Sequence, residues 1–141
     1  MIKITSSDPQ PTNPAERNRQ IVDLYKKYWQ GTTVTNLHTG ITVNFDGKGR
    51  KKGRYNFTKD PFLIPTIPFL GEIVAQAKYT NAKQPTKPEH INAGVWLILN
   101  FECSVAINRK VVGLRISILC AKEGKFYYSA HRHKKPPAQG L

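Results

Sequence analysis

The sequence predicts an α+β domain, with an N-terminal helix and a second short helix packed on one face of a mainly antiparallel β-sheet of about four to five strands. Three observations carry that expectation. Apolar residues recur at helical spacing early in the chain, at Ile21, Leu24, Tyr25 and Tyr28. They alternate with polar residues at a period of two from Val95 to Ile107 and again from Val112 to Cys120. At 141 residues the chain is long enough to bury a core without disulfide or metal staples.

The elements follow in order. Residues 1–13 hold Pro9 and Pro11 among Ser, Thr and Asn, and read as an extended arm or linker. Asn13-Pro14 then opens a helix over 14–30, with Asn13 as N-cap, Pro14 at the first helical position and Gly31 as the stop. TTVTNL and GITVNF read as two strands separated by a turn at His38-Thr39-Gly40, with Ile41, Val43 and Phe45 on one face. DGKGRKKGRY reads as a flexible basic loop over 47–54, because glycines alternate with cations. LGEIVAQAKY predicts a short amphipathic helix over 69–79, and NAKQPTKPEH a loop that leaves His90 solvated.

The closing stretch is a meander. A two-residue turn at Asn108-Arg109 sets Phe101 opposite Ile116 and Glu102 opposite Arg115, so that both apolar faces agree. The same register puts Cys103 opposite Leu114 and Cys120 opposite Leu97, predicting two free, buried thiols. The next turn decides more. A tight turn at Glu123-Gly124 would send Ser129 and His131 to the apolar face. A three-residue loop, Lys122-Glu123-Gly124, sends Phe126 and Tyr128 to the core and gathers Tyr127, Ser129 and His131 beside Ser117 and Arg115. The longer loop is preferred, because it buries the better apolar pair. The domain then runs from 14 to 135, with a flexible tail at 136–141.

Charge narrows the function. Twenty-two Lys and Arg against nine Asp and Glu give a formal net charge of +13. Such an excess attracts polyanions, of which nucleic acid is the commonest. No apolar run is long enough for a membrane span, so no membrane partner is expected, and MIKITSSDPQ has no apolar secretory core. No His, Cys, Asp and Glu grouping has metal-ligand spacing, so neither metal nor other cofactor is expected, and a metal-dependent DNase is disfavoured.

Chemistry concentrates on the polar face. RNA cleavage without metal needs a base for the ribose 2′-hydroxyl, an acid for the leaving 5′-oxygen and a cation for the charge developing on phosphate. Glu102, His131 and Arg115 supply one of each on adjacent strands, and Ser129 can hold the phosphate or orient the histidine. Lys48, Arg50, Lys51, Lys52 and Arg54 of the basic segment, with Tyr127, Arg132 and His133, are the candidate nucleic-acid contacts.

The order of elements, together with ITVNFDGKGRKKG, LGEIVAQAKY and INRKVVGLRISILCAKEGKFYYSAH, resembles the barnase/EndoU/colicin/RelE-like nuclease superfamily. Within it, the chain is similar to nuclease-like domains of large polyvalent phage proteins and polymorphic bacterial toxins, over roughly residues 34–133. The resemblance implies an endoribonuclease toxin acting without metal on RNA, often tRNA, in the bacterial cytoplasm, delivered within a larger secreted or phage-borne protein. It also implies an acidic immunity protein or antitoxin as partner. Position by position it supports His131, Arg115 and Lys51 or Lys52, whereas Glu102 comes from the face pattern. The rival expectation is a non-catalytic nucleic-acid-binding or phage-encoded inhibitor protein using the same basic face. Loss of cleavage with retained binding in His131→Ala separates the two.

Overall fold

A computed structural model describes residues 1–6 and 13–133. Lys134, Lys135 and the expected tail at 136–141 lie outside the described residues. Asn13 caps the first helix, α1 (Pro14–Tyr28), its side-chain oxygen accepting from the backbone N–H of Ala15. Strands β2 (Thr33–Thr35) and β3 (Thr42–Asn44) form the expected antiparallel pair around the His38-Thr39-Gly40 turn. Val43 and Phe45 are buried as the alternation requires.

The chain departs from expectation at four places. The start of the arm is a strand: β1 (Ile2–Ile4) pairs parallel with residues 105–107 and buries Ile2 and Ile4. The basic segment is a helix rather than a loop, α2 (Gly47–Lys59), capped by the Asp46 side chain accepting from the Lys48 N–H. Its buried positions Gly49, Gly53 and Phe57 recur every four residues and form one face. The helix expected over 69–79 is shorter, α3 (Leu70–Gln76), preceded by a 3₁₀ segment (Pro61–Phe69) and followed by an exposed edge strand, β4 (Lys78–Lys83). The loop around His90 contains a short helix, α4 (Pro88–Asn92), and His90 is buried.

The long meander comprises β5 (Leu97–Ile107), β6 (Lys110–Ala121) and β7 (Gly124–Arg132). Asn108 and Arg109 both have positive φ, 49° and 72°, the geometry of a two-residue type I′ turn, and the register pairs Glu102 with Arg115 and Phe101 with Ile116. The second turn differs from both anticipated forms. Lys122 and Glu123 alone make it, and Gly124 at φ 146° already pairs with Ala121. The register then shifts between Ser117 and Ile118, a bulge at Tyr127-Tyr128. Next to the turn, therefore, Tyr127 enters the core instead of Phe126 and Tyr128. Beyond the bulge, Ser129 faces Ser117 and His131 faces Arg115, as the longer loop predicted.

Among the described residues the result is a seven-stranded mixed sheet, ordered β1-β5-β6-β7-β3-β2, with β4 sharing the outer edge of β5 with β1. It has more strands than expected, and the β1–β5 and β3–β7 pairs are parallel. Helices α1 and α3 and the 3₁₀ segment bury Ile21, Tyr25, Leu63 and Ile73 against Phe101, Leu114 and Ile116 on one sheet face, the side expected for the two helices. A smaller apolar cluster, Val95, Ile98 and Leu119 with Tyr128, lies on the other face.

The buried amide of Asn36 ties the β2–β3 hairpin to α3. Its Nδ2 donates to the carbonyls of Val74 and Ala77, each at 2.8 Å, and its Oδ1 accepts from the Thr39 N–H and hydroxyl. Asn36→Ala would leave buried carbonyls unpaired and is expected to cost about 2–3 kcal/mol. A lower denaturant midpoint at unchanged m-value would show it.

Candidate active site

Residues that face one another across an antiparallel pair share one sheet face. Glu102 opposes Arg115 and Arg115 opposes His131, so the three stand in one line across β5, β6 and β7. With strands about 4.8 Å apart, that line spans roughly 10 Å and has the cation at its centre. All four residues expected to carry catalysis lie on this face, because Ser129 falls in the adjacent line, Asn100–Ser117–Ser129.

The second line is structural support. Ser117 Oγ donates to Asn100 Oδ1 at 3.0 Å, and Asn100 Nδ2 donates to Asn81 Oδ1 on β4 at 3.0 Å. Ser129 is 4% exposed, so it sits beneath the outer groups rather than among the charges. His131, in contrast, is exposed.

His133 completes the outer cluster. Its backbone N–H donates to the Gly113 carbonyl, which holds it just past the end of β7. Its Nε2 lies 3.0 Å from Glu102 Oε1 and 3.1 Å from Arg115 Nη2, while Arg115 and Glu102 stand 3.6 Å apart. One nitrogen cannot serve both neighbours at once. Protonated, Nε2 donates to the carboxylate; bare, it accepts from the guanidinium. The tautomer of His133 therefore decides which partner it holds. From the sequence, His133 is expected only as a nucleic-acid contact. The spacing His131-x-His133 carried the missed signal, since residues two apart on a strand share a face. Arg115 also leaves its Nε–H without an acceptor among the described residues.

The other expected contacts are dispersed. On α2, Lys48, Lys51, Lys52, Tyr55 and Lys59 follow helical spacing along one side. Lys48 Nζ stands 4.8 Å from the Phe126 ring centre and Lys52 Nζ 5.8 Å from that of Tyr128, which places this side beside β7. Arg50 turns instead toward α1 and donates to Gln30 Oε1 at 3.0 Å, and Arg54 is exposed.

One expected contact is corrected, and another lies off this face. Tyr127 has no exposed surface: its ring stacks on Phe45 at 5.0 Å and Tyr25 at 6.2 Å, so it is a core residue and offers no face to a base. Burial holds its hydroxyl protonated well above the ordinary tyrosine range. Arg132 projects to the opposite sheet face from His131. There it forms a bidentate pair with Asp60, at 2.9 and 3.0 Å, over the Phe62 ring.

Both cysteines are free thiols, and burial raises the pKa of each, which keeps them unreactive; Cys103 is half-buried rather than buried. Among the described residues, no group of three or more His, Cys, Asp and Glu side chains is placed to hold a metal ion. Nor is any helix among them long and apolar enough to cross a membrane.

A family model described as large polyvalent protein-associated domain 3 matches residues 12–128. No curated protein and no solved structure matches the chain. The matched span runs from just before α1 into β7, and includes Glu102 and Arg115 but stops short of His131 and His133. The chain belongs to the large polyvalent protein-associated domain 3 family.

Proposed function

We propose that the chain is an endoribonuclease domain that cuts RNA, with tRNA among its candidate substrates, by attack of a ribose 2′-hydroxyl. The observation that carries this reading is the cross-strand order Glu102–Arg115–His131, a base and an acid on either side of a cation. Glu102 takes the 2′-hydroxyl proton as O2′ bonds to phosphorus. The P–O5′ bond breaks, and O5′ takes a proton from the His131 imidazolium, leaving a 2′,3′-cyclic phosphate. Arg115 faces the charge that builds on the phosphorane oxygens, and its Nε–H, without an acceptor among the described residues, is a donor in reserve. His133 is a positioning residue: donating from Nε2, it holds the Glu102 carboxylate in place.

The likeness of residues 34–133 to the barnase/EndoU/colicin/RelE-like nucleases supports the same chemistry, as does the +13 charge for a polyanionic substrate. The domain would act in the bacterial cytoplasm as part of a larger phage-borne or secreted protein. An acidic immunity protein or antitoxin would neutralise it by covering the basic face.

The test is cleavage of an RNA, and of the same strand carrying one 2′-deoxynucleotide at the cut site, with a chelator present. RNA fragments ending in 2′,3′-cyclic phosphate and an intact deoxy linkage are expected. If neither strand is cut while salt-sensitive binding persists, the chain is a nucleic-acid-binding module. Cutting of the deoxy linkage would remove the 2′-hydroxyl mechanism.

A further inference from the structure

A cavity of about 290 Å³ opens on the same sheet face as Glu102 and Arg115, between α2, α4 and the turn end of β6 and β7. Its walls are mainly apolar and include Val95, Leu119 and Tyr128, while Lys48, Lys51 and Lys52 stand along one side. Leu119 lies four residues along β6 from Arg115, roughly 13 Å at strand spacing.

Two features of this cavity have no explanation among the described residues. His90 lines it, is 6% exposed, and packs edge-on against Tyr128 at 4.8 Å, yet neither of its ring nitrogens has a hydrogen-bond partner among the described residues. Buried polar atoms of this kind normally find one, because leaving them unpaired costs free energy. Burial first, and the nearby Lys87 second, hold the imidazole below its ordinary pKa, so the ring is neutral and offers one donor and one acceptor. The second feature is the crowding of cations. Lys52 stands near Lys87 and Lys59, and burial together with Lys87 lowers its pKa. Lys48 is paired with Asp46 at 3.1 Å, and Glu89 is the acidic residue among the lining groups.

We infer that this cavity is a nucleotide subsite, in which a base enters between His90, Tyr128 and Leu119 while its phosphate rests on Lys51 and Lys52. An apolar slot suits the faces of a heterocycle, and the imidazole suits its polar edge. A volume at the lower bound of ligand pockets suits one ring system rather than a large ligand. Free inorganic phosphate would use the lysines but leave the apolar walls and His90 unmatched. The inference rests on the ribonuclease reading for its biological ligand, since it places one base of an RNA strand about two nucleotides from the cleaved bond.

The experiment measures binding of AMP, GMP, CMP, UMP and inorganic phosphate to the full chain, by calorimetry and by the imidazole NMR signals of each histidine. At least one mononucleotide is expected to bind tenfold or more tightly than phosphate and to shift the His90 signals. His90→Phe, which keeps the ring volume, should weaken it at least tenfold. Because a core variant can misfold, Lys51→Glu, at an exposed position, provides the second arm and should weaken the same mononucleotide severalfold. Equal affinity for phosphate and every mononucleotide, or binding that shifts His131 and His133 but not His90, overturns the proposal. Mononucleotide binding without RNA cleavage removes the ribonuclease reading and leaves the subsite standing. Cleavage without mononucleotide binding does the reverse.

Discussion

Replacing His131 with alanine is expected to lower RNA cleavage by about 10²–10⁴-fold while leaving salt-dependent RNA binding nearly unchanged. Glu102→Gln should cause a loss of the same order. Neither variant should unfold the domain. The Glu102 and Arg115 side chains are 43% and 34% exposed, and pairs so open to water contribute about 1 kcal/mol or less to stability. A melting temperature close to wild type, together with lost cleavage, would therefore locate the effect in the chemistry. Full cleavage in both variants would sink the assignment of base and acid.

The second large effect concerns the fold. Gly49→Val is expected to destabilise the domain by about 3 kcal/mol or more, which for a chain of this size is a melting-temperature drop of roughly 10 °C. A Cβ at position 49 would lie 2.5 Å from Tyr127 Cδ2, 2.7 Å from the Tyr25 hydroxyl and 2.9 Å from the Tyr127 carbonyl oxygen. The last is backbone, and cannot yield unless α2 lifts off β7. The Tyr25 hydroxyl is held too, donating to the Asp46 carbonyl at 2.7 Å just before the helix begins. Gly53→Ala is the control. Its Cβ would meet only the Phe57 ring at 3.6 Å, an ordinary contact, so it should stabilise α2 by about 0.5–1 kcal/mol. Thermal unfolding of both variants decides the matter. Equal stability of Gly49→Val and wild type would mean that α2 does not pack against β7 so closely.

These two positions mark where the sequence was legible and where it was not. The β5–β6 hairpin was readable residue by residue. A period of two allows a strand only two facings, and a two-residue turn at Asn108-Arg109 leaves one register in which both apolar faces agree. Hence Glu102 against Arg115 needed no structure. Helix α1 was equally plain, through its Asn13-Pro14 start and its Ile21 and Tyr25 spacing. Helix α2 was not. Three glycines in GKGRKKGRYNFTK each disfavour a helix by about 1 kcal/mol relative to alanine, so local propensity points to a loop. What outweighs propensity is a contact absent from any local window: Gly49 lets the helix lie directly on Tyr127, 78 residues away in the chain.

The same contact explains the error at Tyr127. Alternation alone could choose between Phe126 and Tyr127 only by assuming a turn, and the bulge lets the chain change facing midway. Tyr127 wins the core because it stacks on Phe45 and Tyr25, while Phe126 lies beneath the Lys48 ammonium group. The assumed three-residue loop and the observed two-residue turn with a bulge insert the same single residue. For that reason Ser129 and His131 reached the predicted face by a different route.

By itself, then, the sequence determined the charge, the α+β class, the β5–β6 register and the pairing of Glu102 with Arg115, because these depend on composition and on neighbours within one hairpin. Tertiary structure decided that the basic segment is a helix and that Tyr127 is core. It also decided that His90 is buried against a cavity and that His133 joins Glu102 and Arg115. Each of these depends on surfaces brought together from distant parts of the chain, where packing energy exceeds the local preference of any single segment.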